Sequence, residues 1–249
     1  MRCVADLDFG AFDALTFDCY GTMIDWESGI LAALRPVLEA HGSSRDDEQL
    51  LERFAQHEAA LEAGPYRRYR EVLAGALRGI GSDLGFEPTA QEQETFGGSV
   101  ADWPAFADSP DALARLKQRF KLGVITNCDD DLFAASNTKL EVEFDYVITA
   151  QQAEGYKPRI ENFEYAFARI DVPRERILHV AQSLFHDHVP AKALGMTTVW
   201  IDRRAGREGG GATPPAAAVP DLTFADLTSF AEAATAKFRK DKRGPLPFF

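Results

Sequence analysis

Four short apolar runs in this chain each lead to polar or ionisable side chains. The runs cover residues 14–17, 122–125, 146–150 and 177–181, and the side chains that follow them are Asp18, Thr126 with Asn127, Lys157, and Gln182 with Ser183. Apolar runs of this length are typical of buried strands. In an open parallel sheet, ligands bind outside the carboxyl ends of the strands. The pattern therefore predicts that these side chains converge on one catalytic site.

Strand and helix signals alternate from about Ser109 onward. The apolar segments LGVITN, YVITA, ILHVAQ and TTVWI are separated by stretches with helical periodicity. Such alternation predicts an α/β fold with a doubly wound parallel, Rossmann-like sheet and right-handed crossovers. The first strand, ALTFDC, is predicted to join the same sheet.

The strand signal disappears between Asp25 and about Phe96. Three helical stretches, residues 29–42, 48–64 and 66–81, each close on a glycine. We therefore predict a core domain formed by residues 1–25 and 97–249, with a helical cap domain at residues 26–96 inserted after the first strand. A cap over the strand ends would shape a pocket and exclude water.

Composition narrows the classes of partner. The 249 residues are 45% apolar and carry a net charge of -12, which favours a soluble globular protein and opposes binding to a phosphate backbone. No secretion signal or membrane-spanning run is evident, so we predict a cytoplasmic protein without nucleic-acid or membrane partners. Cys3, Cys19 and Cys128 lack CxxC spacing, which favours reduced thiols. The amphipathic cap helices are compatible with a homodimer.

Asp18 is the candidate nucleophile. It follows the strand-like ALTF and precedes Tyr20-Gly21-Thr22, so its carboxylate is predicted at the mouth of a tight turn where glycine permits close approach of a ligand. The alternative is that Asp18 caps the turn by accepting hydrogen bonds from nearby amides.

The surrounding motifs, taken together, resemble those of the haloacid dehalogenase superfamily. FDCYGTMID is similar to its first motif, VITN to its second, GYKPRIENF to its third and VAQSLFHDHVPAKALGM to its fourth. All four occur in order and at predicted strand ends. The resemblance covers nearly the whole chain and implies the superfamily's core fold with a cap.

The subtype depends on two positions. Phosphatases of this superfamily carry a second Asp two residues after the nucleophile, where this chain has Tyr20, and a magnesium-binding Asp where it has Gln182. A neutral amide is a poor replacement for a carboxylate on a hard cation. The DCYGT motif resembles instead that of the type II 2-haloacid dehalogenases. That resemblance implies no metal and no cofactor.

The resemblance also implies catalytic roles. Asp18 attacks the substrate carbon and forms an ester, which water then hydrolyses. Lys157 keeps Asp18 ionised, and Thr22 steadies it. Ser183 and Asp187 orient or activate the water, with Asp187 as the base or as a partner of Lys157. A surface position for Lys157, and a helix cap near Pro190 for Asp187, are the alternatives.

Further residues are assigned to substrate binding. Thr126 and Asn127 are predicted to hold the substrate carboxylate or the ester, a role compatible with capping a helix at residues 129–136. Tyr20 and Trp103 are predicted to line an apolar pocket, although aromatic residues are more often plain core. For His186 and His188 we favour a proton-relay or structural role over metal binding.

The sequence departs from the dehalogenases at two positions. Their cap arginine, which receives the halide, aligns with Ala55, and the unmatched Arg53 and His57 are nearby. Phe163 replaces a common tyrosine. Arg67, Arg68 or Arg70 could substitute for the arginine, or could form a solvated basic face.

The sequence therefore predicts a metal-independent hydrolase that acts on a small 2-substituted carboxylic acid through an aspartyl ester. Halide is the favoured leaving group, and hydrolytic opening of a strained ring acid is a close relative of that reaction. The alternatives are a magnesium-dependent phosphatase and a catalytically silent binding protein on the same scaffold.

Overall fold

The computed structural model describes residues 7–207 and 209–236, so Cys3 lies outside the described residues. Within that part, six parallel strands form one sheet in the order β3-β2-β1-β4-β5-β6. The strands are β1 (Ala14–Phe17), β2 (Lys121–Thr126), β3 (Tyr146–Thr149), β4 (Ile177–Ala181), β5 (Thr197–Ile201) and β6 (Leu222–Phe224). The predicted fold class is confirmed.

Helices account for most of the connections in the described residues. They are α1 (Trp26–Ala40), α2 (Asp47–Glu62), α3 (Tyr69–Leu84), α4 (Ala90–Gly98), α5 (Ser109–Lys117), α6 (Asp130–Asn137), α7 (Ala150–Ala153), α8 (Ile160–Phe167), α9 (Val189–Ala193) and α10 (Leu227–Thr235). A single π-helical turn, Leu184–His188, precedes α9, and short 3₁₀ turns occupy Phe9–Ala11, Ser99–Asp102 and Arg174–Arg176.

Strand β1 lies at the centre of the sheet and fixes the position of the site. All four of its residues are buried, as expected for a parallel strand covered on both faces. Phe17 is in register with Val124 of β2 and Val180 of β4. Strands β2 and β3 lie on one side of β1, and β4, β5 and β6 lie on the other. The strand order therefore reverses beside β1. The carboxyl ends of β1, β2 and β4 therefore meet where such sheets bind ligands.

Helices α1 to α4 lie between β1 and α5 in the chain and form the helical insertion. Helix α3 packs against both α2 and α4. Helix α4 is absent from the predicted set because only Phe96 and Gly97 are buried in it, which leaves no apolar periodicity to detect. The division into domains at residues 25 and 97 stays a prediction.

The structure bears on the predictions about cysteines and membrane-spanning segments. Cys19 and Cys128 are free and buried. No helix in the described ranges is long and apolar enough to cross a membrane. The cytoplasmic location and the homodimer stay predictions.

Candidate active site

Lys157 connects the ends of three strands. Its Nζ donates to Asp18 Oδ1 at 2.9 Å, to Asp187 Oδ1 at 2.7 Å and to the backbone oxygen of Ile125 at 2.8 Å. The side chains of Lys157 and Asp187 are at most 1% exposed. Lys157 is therefore not the surface lysine of the alternative interpretation, and its three N–H donors are all used.

Electrostatics in this cluster oppose desolvation. Burial alone would lower the pKa of Lys157, but attraction by Asp18 and Asp187 outweighs it, and the net shift is upward. Burial would raise the pKa of Asp187, but Lys157 and His179 outweigh it and hold that pKa well below its usual range. Burial raises the pKa of Asp18, while Lys157 and Thr22 limit the rise. The Lys157 ammonium group therefore favours the ionised form of the carboxyl groups in this buried site.

Thr22 joins the nucleophile loop to the end of β4. Its Oγ1 donates to Asp18 Oδ2 at 2.7 Å and accepts from the backbone N–H of Gln182 at 2.8 Å. Gly21 has φ +88°, and a Cβ at this position would lie 2.9 Å from Trp26 Nε1, so the turn requires glycine. The Thr22 hydroxyl thus holds one oxygen of the Asp18 carboxylate, and Lys157 holds the other.

His179, which the sequence analysis did not select, supports Asp187 from beneath. One ring nitrogen, Nε2, lies 3.0 Å from Asp187 Oδ1, and the other, Nδ1, lies 3.0 Å from Thr16 Oγ1. The ring is fully buried and meets Phe163 edge to face, with ring centroids 5.2 Å apart. A histidine inside the otherwise apolar run ILHVA was the available signal, because a buried imidazole needs a polar partner.

Asn127 holds the backbone of Lys157. Its Oδ1 accepts from the Lys157 backbone N–H at 2.8 Å, and its Nδ2 donates to the Lys157 backbone oxygen at 3.0 Å. Thr126, one residue earlier, is buried, and its Oγ1 makes no hydrogen bond within the described structure. Asn127 thus acts in positioning Lys157 and borders the cavity above Asp18, whereas Thr126 does not line that cavity.

A narrow cavity with a volume of about 20 Å³ lies above Asp18. The sheet side and the helical insertion both contribute to it. Its lining residues are Asp18, Tyr20, Trp26, Glu58, Glu62, Tyr69, Asn127, Lys157, Ser183 and His186. Five residues that were predicted to bind substrate or to act in catalysis line this cavity: Asp18, Tyr20, Asn127, Lys157 and Ser183. His186, for which a proton-relay or structural role was predicted, lines it as well.

Glu58 and Glu62 are functional candidates that the sequence analysis missed. They lie one turn apart on the buried face of α2 and are 2% and 5% exposed. Asn127 Nδ2 donates to both oxygens of Glu62, at 3.3 and 3.2 Å, and Tyr69 donates to Glu58 Oε1 at 2.6 Å. Their place on the apolar stripe of α2, with Leu51 and Phe54, was the signal that could have identified them.

Burial sets the protonation of this acid pair. Desolvation raises the pKa of Glu58 to about 8, although the Tyr69 hydroxyl opposes the shift. Desolvation and the neighbouring Glu58 raise the pKa of Glu62 well above its usual range. The two carboxyl groups therefore do not both ionise at neutral pH in the empty site.

Tyr20 and Trp103 occupy different positions. Tyr20 lines the cavity, and its hydroxyl lies 3.1 Å from Ser136 Oγ. Trp103 lies behind Tyr20, with ring centroids 5.6 Å apart, and donates from Nε1 to Ser99 Oγ at 3.2 Å. Trp103 thus packs against a residue that lines the cavity and is not itself among the lining residues.

The fourth motif places its histidines in different surroundings. Ser183 Oγ accepts from the His186 backbone N–H at 2.9 Å and lies 3.1 Å from His186 Nδ1. His188 Nε2 donates to the Ala181 backbone oxygen at 3.0 Å. Burial lowers the pKa of both imidazoles to about 4, so both are neutral at pH 7. Across the described ranges, no group of three or more His, Cys, Asp or Glu is arranged to hold a metal ion.

The candidate replacements for the missing arginine lie elsewhere. Arg68 donates to Gln151, Arg70 pairs with Asp131, and Arg67 is not among the residues that line the cavity. The unmatched Arg53 pairs with Asp83. Among the described residues, no arginine lines the cavity. Helix α2, where that arginine was expected, contributes Glu58 and Glu62 to the cavity lining.

Gln182 also points away from the cavity. Its Oε1 accepts from Thr213 Oγ1 at 3.3 Å, and a Cβ added to Gly21 would meet the same oxygen at 3.1 Å. The side chain that takes the place of a phosphatase aspartate is thus held by a loop hydroxyl.

Comparisons with known proteins identify the family. A family model of haloacid dehalogenase-like hydrolases matches residues 12–193. The chain is 26% identical to an (S)-2-haloacid dehalogenase of Pseudomonas fluorescens over 76% of this chain and 84% of that one. It is 28% identical to the 5-amino-6-(5-phospho-D-ribitylamino)uracil phosphatase YigB of Escherichia coli (strain K12), over 77% and 84% of the two chains.

The fold comparison points the same way. The structure of an L-2-haloacid dehalogenase from Xanthobacter autotrophicus superposes with a TM-score of 0.73 and 20% identity, covering 91% of this chain and 98% of that one. At this identity the match reports the fold. With the family match over most of the chain, the conclusion is that this protein belongs to the haloacid dehalogenase-like hydrolases.

Proposed function

We propose that this protein hydrolyses a small 2-substituted carboxylic acid through an ester on Asp18, with halide as the favoured leaving group. The observation that carries the proposal is the buried arrangement of Asp18 between Lys157 Nζ at 2.9 Å and Thr22 Oγ1 at 2.7 Å. Both groups donate to the carboxylate, and an oriented, ionised carboxylate is what nucleophilic displacement requires. The identity with the dehalogenase of Pseudomonas fluorescens also supports it.

In the first step an Asp18 oxygen forms a bond to C2 of the substrate, and the halide departs with the electron pair of the carbon–halogen bond. In the second step water adds to the Asp18 carboxyl carbon, and the ester C–O bond breaks. The products are a 2-hydroxy acid, a halide ion and one proton. Lys157 steadies the carboxylate before and after the cycle, and we expect no metal or cofactor in either step.

Asp187 is the candidate acceptor for the water proton. Its Oδ1 is taken by Lys157 and His179, whereas Oδ2 is buried and has no hydrogen-bond partner among the described residues. An oxygen with an unused lone pair can accept a hydrogen bond from water. Ser183, which lines the cavity, supplies a hydroxyl for orienting the same water.

A magnesium-dependent phosphatase is the second candidate, favoured by the similarity to the phosphatase YigB. Two positions weigh against it. Tyr20 directs its hydroxyl to Ser136 where a second aspartate would protonate a leaving alkoxide, and the Gln182 amide accepts from Thr213. Neither side chain offers the charged oxygen that magnesium prefers.

The test is halide release from 2-chloro, 2-bromo and 2-fluoro carboxylic acids in EDTA, with Asp18→Asn as control. Release by the parent protein and not by the variant supports the proposal. Magnesium-dependent release of phosphate from phosphate esters, without halide release, favours the phosphatase, and halide release that needs added magnesium contradicts metal independence. A protein inactive in both assays, whose Asp18 forms no covalent adduct, would be a silent binding protein.

A further inference from the structure

We propose that Glu58 and Glu62 form a binding site for a protonated amine, so that the substrate carries an amino group in addition to its carboxylate. This inference rests on the proposed function and specifies the substrate class of the same cavity. It assigns a role to the two acidic side chains that α2 contributes to the cavity lining.

The acid pair is built towards the cavity. Glu58 lines the cavity and is 2% exposed, and its Oε2 is buried without a hydrogen-bond partner in the described residues. A buried carboxyl oxygen left without a donor costs free energy, which a ligand donor would recover. Tyr69 and Asn127 hold the other oxygens and fix the direction of the pair. The oxygen without a partner thus belongs to a side chain that lines the cavity.

Charge points to a cation as that ligand. The cavity is lined by the carboxyl groups of Asp18, Glu58 and Glu62 and by a single ammonium group, Lys157. Lys157 already donates to Asp18, to Asp187 and to a backbone oxygen, which leaves no donor for an anionic ligand. A substrate carboxylate alone would add negative charge to this surface. A zwitterionic substrate adds no net charge. Its ammonium group favours the ionised form of the acid pair, so that a glutamate releases its proton to solvent as the amine binds and then serves as its counter-ion.

The remaining wall suits an ammonium group as well. Tyr20, Trp26 and Tyr69 line the same cavity, and all three rings are nearly fully buried. The faces of aromatic rings attract cations, most strongly where water is excluded. His186, also in the wall, is neutral because burial lowers its pKa to about 4, so it does not compete as a cation. Carboxylates among aromatic rings form a site for a substituted ammonium ion.

The test measures the binding of unreactive analogues to the parent protein at pH 7. Binding is monitored by NMR as each analogue is titrated to the same millimolar concentration. β-Alanine is compared with butanoate, and 4-aminobutanoate with pentanoate, so that each pair differs by an ammonium in place of a methyl group. Charge-assisted hydrogen bonds predict that the amino acid of at least one pair binds about 10- to 100-fold more tightly.

Variants assign that preference to the pair. Glu62→Gln and Glu58→Gln keep the shape but cannot ionise when the amine binds, and each is expected to reduce the preference to less than about threefold, since a neutral amide provides no counter-ion. Glu52→Gln, on the exposed face of the same helix, is the matched control and should keep the full preference. Circular dichroism confirms that each variant is folded.

Equal binding of the paired analogues, no binding of any of them, or a preference unchanged in both glutamine variants would overturn the inference. If the parent protein prefers the amino acids but releases no halide from 2-chlorobutanoate or from a 2-chloro acid bearing an amine, the proposed function is contradicted instead. Halide release from 2-chlorobutanoate without any amine preference would leave the proposed function standing and remove the inference.

Discussion

Lys157 and Asp18 lie 139 positions apart in the chain, yet Lys157 Nζ donates to Asp18 Oδ1 at 2.9 Å inside the protein. The same ammonium donates to Asp187 at 2.7 Å. The contact is possible because parallel strands end at one edge of the sheet, so a residue after β1 meets one after β3. One cation therefore stabilises both the candidate nucleophile and the candidate base.

Replacing Lys157 by Met should destabilise the protein by about 3–5 kcal/mol at pH 7.5, because two buried carboxylates then face each other without a counter-ion. Urea denaturation measures the change. Lys117→Met is the control, since Lys117 pairs with Asp145 where both side chains are about one-third exposed. That surface pair is expected to contribute no more than about 1 kcal/mol. Equal losses in the two variants would contradict a special role for Lys157.

Thr22→Val should lower kcat by about 10- to 150-fold, since a hydrogen bond to a charged group contributes about 1.5–3 kcal/mol. The valine leaves both Asp18 Oδ2 and the Gln182 N–H without the hydroxyl that now joins them. Steady-state halide release at saturating substrate measures the effect. Thr22→Ser keeps the hydroxyl and should stay within a few-fold of the parent. A serine variant as slow as the valine variant would show that the methyl group, not the hydroxyl, matters.

Stability should fall as the pH rises from about 4.5 to about 8, in part because of Glu58. The folded protein retains this proton up to a pKa of about 8, whereas the ordinary value is 4.5, so the folded state binds more protons in that window. Stability then decreases with pH, by at most about 1.4 kcal/mol per pH unit for one proton.

Glu58→Gln should flatten that dependence, since the amide is neutral at every pH in the window. The measurement is the free energy of unfolding in urea at pH 5, 6.5 and 7.5 for the parent, Glu58→Gln and the exposed control Glu52→Gln. Parallel curves for the parent and Glu58→Gln would contradict the assigned protonation of Glu58.

The strands could be predicted because their burial is visible in the sequence. Runs such as ALTF and ILHVA are apolar throughout, as expected where helices cover both faces of a parallel sheet. Helix α4 could not be predicted as a separate element, because its sequence AQEQETFGG buries little and shows no apolar stripe. Its position depends on packing against α3.

The site was predicted in part for a related reason. Asp18, Asn127 and Ser183 follow strands, so topology alone brings them together. Glu58 and Glu62 share the apolar stripe of α2, which indicates that they are buried, but their approach to the Asp18 cavity depends on how α2 packs against the rest of the protein. Trp103 was predicted to line the pocket from its aromatic character, whereas its ring packs against Tyr20 and it is not among the residues that line this cavity.

The most direct test of the central claim is a single turnover in H₂¹⁸O with enzyme in excess over the 2-halo acid that the parent dehalogenates. Hydrolysis of an Asp18 ester adds the solvent oxygen to the carboxylate, so mass spectrometry should find ¹⁸O in the peptide containing Asp18 and none in the 2-hydroxy acid product of that first turnover. Label found in the product and absent from that peptide would show that water attacks the substrate directly, and would contradict an aspartyl-ester mechanism.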